Sequence, residues 1–220
     1  MAHVIFPPAV QEIRGKAGTD VFAKSKTGPI LRPRTHPKNP KSPAQNTARA
    51  AFGKGSSTYK TLTTAQLAQW STYALSITKH SPLTGKANNP YPITAFNGLA
   101  SKFLQINPTG VIPMTHPTLP FLGDTVAVIT VGAVGQVTFT ASAANAANVK
   151  TELLLQPMKT RTRTPTPKGY RTKSFIAFVV GMLSSSIPTA PGYYAPAYRF
   201  VNALTGQELA IVTLPVVQVS

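Results

Sequence analysis

The sequence predicts an α+β protein in three parts: an N-terminal β-hairpin with an extended arm, a small three-helix segment, and a C-terminal antiparallel β-sandwich. Three observations carry this reading. Twenty-one prolines among many threonines favour strands and extended arms over long helices. Two helix-start signatures fall in the middle of the chain. The last hundred or so residues repeat short strand-like runs between turn signals.

The first part covers residues 1–41. Val4-Ile5-Phe6 and Val10-Gln11-Glu12-Ile13 read as extended, Arg14 to Gly18 as a tight turn, and Thr19 to Ala23 as a returning strand. Gly28-Pro29 punctuates it, and Ile30 to Arg34 is extended again. Prolines 33, 37, 40 and 43 then keep the chain out of helix. Residues 14–41 hold eight Lys/Arg and one Asp. A basic, proline-spaced arm has few ways to bury itself within its own chain, so it is expected to lie on another subunit or on nucleic acid.

The second part, 42–107, reads as helical. Ser42-Pro43-Ala44-Gln45 and Thr63-Thr64-Ala65-Gln66 each fit a capping box, in which a hydroxyl and a Gln side chain satisfy N–H groups that the first turn leaves unpaired. The first helix is expected to reach about Thr58 and to bury Ala48, Ala51 and Phe52; Gly53 and Gly55 weaken it by about 1 kcal/mol each relative to Ala. The second is expected to reach Thr78, with Leu67, Trp70, Ala74 and Ile77 at helical spacing. A third starts near Ile93 and aligns Phe96, Leu99, Phe103 and Leu104. Phe52, Trp70, Phe96 and Phe103 would centre the bundle, and Trp70 reads as core.

Residues 108–119 read as a linker, and 120–220 as all-β. Expected strands are Thr125–Val131, Val134–Ala141, Ala147–Leu155, Ser174–Leu183, Tyr193–Asn202 and Glu208–Val219. About 100 residues with six or seven strands is the size of an immunoglobulin-like or fibronectin type III-like sandwich. The chain has no cysteine, which excludes the disulfide-bonded antibody subclass and any thiolate metal site. Tyr193 or Tyr194, near the start of a late strand, would supply a tyrosine corner.

Charge sets the function class. There are 22 Lys+Arg against 5 Asp+Glu, a formal +17, although charged residues make up only 12% of the chain, against about 25% typically. The imbalance comes from missing acids. Such a surface calls for a polyanion or an acidic protein partner. Glu12, Asp20, Asp124, Glu152 and Glu208 are spread singly, and the four histidines have no metal-ligand spacing. Gly53-Lys54-Gly55-Ser56-Ser57 fails the phosphate-loop spacing. The chain therefore reads as a non-enzyme with no catalytic residues, no cofactor and no metal. The longest apolar run, Phe175–Leu183, is too short to span a bilayer, and the N-terminus lacks the basic and apolar regions of a signal peptide, so no membrane partner is expected.

Two basic stretches are the candidate contacts. The arm contributes Arg14, Lys16, Lys24, Lys26, Arg32, Arg34, Lys38 and Lys41. The long loop Gln156–Ser174 contributes Lys159, Arg161, Arg163, Lys168, Arg171 and Lys173, with no acid among them. Phosphate contacts need only such cations and no sequence readout. No aromatic-interleaved groove supports specific single-strand recognition.

The order of several short motifs carries a resemblance. Gly15, Gly18, Val21-Phe22, Gly28-Pro29, Arg32 and Arg34 are followed by Pro37 and Asn39-Pro40, then Gln45, Arg49 and Phe52, then Leu62-Thr63, Gln66 and Trp70, then Phe96-Asn97-Gly98-Leu99. Over about residues 5–105 this resembles a family of bacteriophage and prophage proteins of uncharacterised role, many with an immunoglobulin-like tail. The resemblance implies a virion component that meets other virion proteins in a homo-oligomer or symmetric assembly, associated with capsid, neck or tail. It implies no catalytic residues. The alternative from charge alone is a non-specific DNA-binding protein packaged with or condensing the genome.

Overall fold

The computed structural model describes residues 2–3, 13, 15–25, 28–34, 39, 41–80 and 87–220. They form two compact units, Met1–Pro43 and Ala44–Ser220. The expected extended runs Val4–Phe6 and Val10–Glu12 lie outside the described residues.

In the first unit, β1 (Ala2–His3), β2 (Gly15–Ala17), β3 (Asp20–Ser25) and β4 (Gly28–Pro33) form an antiparallel sheet in the order β1-β4-β3-β2. The hairpin turn sits one step later than the sequence suggests. Gly15 to Ala17 is already strand, and Gly18 takes φ +60°, a left-handed conformation that glycine adopts most readily, to reverse the chain before Asp20. Val21 faces Lys16 on one side and Arg32 on the other. In this unit residues 13, 15–16, 18–23, 29–34, 39 and 41–43 include no buried side chain; Val21, Phe22, Ile30 and Leu31 are partly buried.

The second unit opens with α1 (Pro43–Lys60) and α2 (Thr64–Ser76). The Thr63 hydroxyl accepts from Gln66 N–H while the Gln66 side chain accepts from Thr63 N–H, so the capping box forms as its spacing predicts. A short ladder of β5 (Lys79–His80) and β6 (Ala87–Asn88) leads to α3 (Pro92–Ile106). The helical core gathers Leu62, Trp70, Phe96, Ala100, Phe103, Leu104 and Ile112. Trp70 packs edge-on to Phe96 at 5.0 Å, and its Nε1–H donates to the Met114 carbonyl at 2.8 Å. Residues read as linker thus supply a core side chain, Ile112, and a hydrogen-bond acceptor.

Phe52 does not join this core; it is 58% exposed. Instead α1 turns Gly55 inward, where an added Cβ would lie 2.7 Å from Asn97 Oδ1 on α3. A glycine that looks like a helix weakness thus sits against α3 where a side chain would meet Asn97 and Ala100, while Phe52 stays outside.

The β part contains eight strands in two antiparallel sheets. β7 (Val128–Ala133), β8 (Gln136–Ala141) and β11 (Ser184–Pro188) form one, in the order β11-β8-β7. β9 (Val149–Met158), β10 (Arg171–Ile176), β12 (Gly192–Asn202) and the split last strand, β13 (Val212–Thr213) and β14 (Val217–Val219), form the other, in which β12 pairs β9, β13 and β14. The inner faces share one core, including Val137, Phe139, Leu153, Leu155, Phe178, Phe200 and Val219. Strand alternation explains the division: Leu153 and Leu155 point into this core, while Glu152 and Leu154 point to the opposite face.

Two expected strands differ. Ser174–Leu183 ends as strand at Ile176; Gly181, at φ +87°, supports a turn bridged by Val179 and Met182, and the chain crosses into the other sheet as β11. Glu208–Val219 is divided between β13 and β14 by Leu214-Pro215-Val216, since Pro215 has no N–H for the ladder. No helix among the described residues is long and apolar enough to cross a membrane.

Candidate interaction surface

Three of the five acids are engaged inside the second unit. Glu152 on β9 is fully buried (0% exposed). Its Oε2 lies 3.0 Å from Lys102 Nζ of α3 and 2.6 Å from Arg199 Nε of β12, and its Oε1 accepts from the Thr172 hydroxyl of β10. Thr172 pairs with Leu154 and so lies on the same side of the sheet as Glu152, and the bulge at Lys173 brings Phe175 to that side too. Glu208 completes the ring, 3.0 Å from both Lys102 Nζ and Arg199 Nη1. Lys102 Nζ also sits 5.5 Å from the Phe175 ring centroid. Burial pushes the Glu152 carboxyl up; hydrogen bonds from Arg199 and Thr172 and the charges of Lys102 and Arg199 outweigh this and hold it below the usual glutamate range. The cluster joins α3 to the back of the sheet that holds β9 and β12 and consumes its own charge: two cations, two anions.

Asp124 has a different internal task. Its Oδ2 accepts from Asn145 Nδ2 at 3.1 Å and Ala146 N–H at 2.8 Å, and Oδ1 from Thr125 N–H at 2.8 Å. Asn145 Oδ1 in turn accepts from Phe178 N–H and the Thr151 hydroxyl. This holds one end of the two-sheet core together.

The cations read as contacts fall into two groups. Lys16, Arg32 and Arg34 are exposed on or beside the N-terminal sheet, Lys24 lies on β3, and Lys41 is exposed just before α1. Arg14, Lys26 and Lys38 lie outside the described residues. In the second unit Lys159, Arg161, Arg163, Lys168, Arg171 and Lys173 are all exposed. This loop is ordered by packing. Tyr170 is buried beside Leu154, Met158, Ala195 and Ala197 on the back of the sheet, and burial pushes its phenol pKa up. Gln156 accepts from Thr166 N–H, a single 3-10 turn (Pro167–Gly169) follows, and the Arg171 guanidinium donates to the Lys168 carbonyl at 3.0 Å. The six cations therefore lie exposed on β10 and on the loop before it, which Tyr170 packs against the sheet of β9 and β12.

Sequence reasoning missed a second feature, an apolar groove of about 610 Å³ between α1, α3 and β10, lined by Ala48, Phe52, Leu104 and Phe175 among others. Phe52, which the sequence places in the bundle core, lines this groove instead. Among the described residues no group of three or more His, Asp or Glu could hold a metal ion. No protein-family model matches this chain, nor does any curated protein or solved structure.

Proposed function

We propose that this chain is a bacteriophage structural protein, a virion component that docks on neighbouring subunits through its basic N-terminal sheet and arm. The observation that carries the reading is the first unit. It has paired strands, only partly buried Val21, Phe22, Ile30 and Leu31, and the exposed cations Lys16, Arg32 and Arg34. A small sheet of this kind gains its stability by burying its faces against something else. An acidic protein neighbour in a capsid, neck or tail supplies both the cover and the opposite charge. The order of motifs over residues 5–105 supports the phage assignment. In this reading residues 1–41 are the docking arm, 42–107 a helical joint, and 120–220 an immunoglobulin-like or fibronectin type III-like domain. No catalysis is assigned to it.

The sandwich assignment has two supports. The seven strands, counted in chain order with the split last strand as one, run 1-2-5 in one sheet and 4-3-6-7 in the other. Near the start of the sixth, the Tyr194 hydroxyl donates to the Ala190 carbonyl four residues upstream at 2.9 Å, the bond of a tyrosine corner.

The six cations from Lys159 to Lys173 favour a second reading, in which the chain binds the phosphate backbone of packaged DNA without sequence preference. Co-sedimentation with DNA-filled and empty particles tests both. Fixed stoichiometry in both kinds of particle supports the protein-docking reading. Presence only in filled particles supports the DNA reading, and absence from both overturns the pair.

A further inference from the structure

The charge of this chain is unevenly placed. Residues 125–149, 174–198 and 209–220 contain no Lys, Arg, Asp, Glu or His, in a protein with formal charge +17. These runs supply all of β7, β8, β11, β13 and β14. The outer face of the three-stranded sheet is built wholly from them. Its register gives three rows across the strands: Ile129-Thr140-Ser184, Val131-Thr138-Ser186 and Ala133-Gln136-Pro188.

Along β7 this face carries an apolar edge, with Ile129 63% and Val131 60% exposed. Beside it runs a ladder of hydroxyls that already bond one another: Thr138 with Ser186 at 2.9 Å and Thr140 with Ser184 at 3.1 Å. Dehydrating such a face leaves those hydroxyls with a partner and strands no charge. At one end the crossover adds the exposed Val179, Val180 and Met182.

We propose that this face is a self-association surface, and that its occupant is the same face of a second copy of this chain. Charge decides the occupant. Two copies at +17 repel over most of their surface, and they approach with least repulsion where both are uncharged. An acidic protein or a nucleic acid finds no cation here and is drawn instead to the Lys159–Lys173 region on the other sheet. Two twisted sheets pack face to face about 10 Å apart, and a two-fold axis lets each apolar edge meet its counterpart. The inference does not depend on the virion reading, because it concerns the isolated chain.

Sedimentation velocity of the full chain over a concentration series at low and high salt tests it. The expected result is reversible association that strengthens with salt, since salt screens the residual like-charge repulsion. Val131→Lys places a cation at the centre of the face and is expected to weaken association by about tenfold or more. Ser186→Lys does the same without touching an apolar side chain, and unchanged circular dichroism shows that each variant folds. Lys159→Gln with Arg161→Gln is expected to leave association intact. A chain that stays monomeric throughout overturns the proposal. So does association that weakens with salt, that survives both lysine variants, or that is lost in the Lys159/Arg161 variant.

Discussion

Glu152 has no exposed surface, yet it is charged and held by three side chains from three different elements. Removing it leaves Lys102 and Arg199 with Glu208 alone. Glu152→Ala is therefore expected to destabilise the second unit by about 3–5 kcal/mol in chemical denaturation. Its carboxyl titrates below the usual range when folded, so the unfolded chain takes up the proton first as pH falls. The stability it contributes is complete at neutral pH. It declines once pH drops below the ordinary glutamate value and is gone below the lowered folded value. Thermal melts from pH 7 to pH 3 should show this decline, and Glu152→Gln should flatten that part of the curve. Gly206 makes a different demand. It sits at φ +75°, where an added Cβ would collide with the Leu99 carbonyl of α3. Gly206→Ala is expected to cost more than about 1 kcal/mol, from backbone strain together with displacement of the helix, measured by the same denaturation. Nothing around Glu152 in the sequence marks it as special: its partners lie at positions 102, 172, 199 and 208, and only the fold brings them together.

At the scale of elements, local signals were enough wherever the local chemistry is self-contained. The capping box at Thr63 forms because both of its bonds lie within four residues. The face of α3 follows from apolar spacing alone, with Phe96, Phe103 and Leu104 buried together. Spacing failed for Phe52 on α1, because the face turned to α3 runs through Ala51, Gly55 and Tyr59, and Gly55 carries no side chain to signal it. It failed again at Phe175–Leu183, where one apolar run serves both a strand and a crossover between sheets. Two tests belong here. Tyr194→Phe is expected to cost about 0.5–1.5 kcal/mol, the loss of one hydrogen bond at the start of β12, read from the denaturation midpoint. Replacing Lys159, Arg161 and Arg163 by Gln is expected to weaken binding to duplex DNA or an acidic polymer. It should also make the log–log salt dependence shallower by about 0.9 for each phosphate no longer neutralised. An unchanged salt slope would show that this loop does not touch the phosphate backbone.

For the whole molecule, the two units differ in how they stand alone. The second encloses cores of its own, whereas in the first the strand residues Val21, Phe22, Ile30 and Leu31 are only partly buried. A chain starting at Ala44 is expected to keep the melting temperature of the full protein while losing co-sedimentation with particles. A large drop in melting temperature would instead mean that the first unit stabilises the second. The sequence by itself determined the net charge, because that is a sum over residues and needs no geometry. It also determined the helix starts, most strand centres and the absence of any disulfide, since each follows from chemistry within a few positions. Only the tertiary structure decided where the charge goes. Engaging Glu152, Glu208 and Asp124 in internal bonds, folding the 159–173 loop over one sheet, and assembling three uncharged runs into the other are long-range events. They depend on strand order and register, which a linear pattern of residues does not carry.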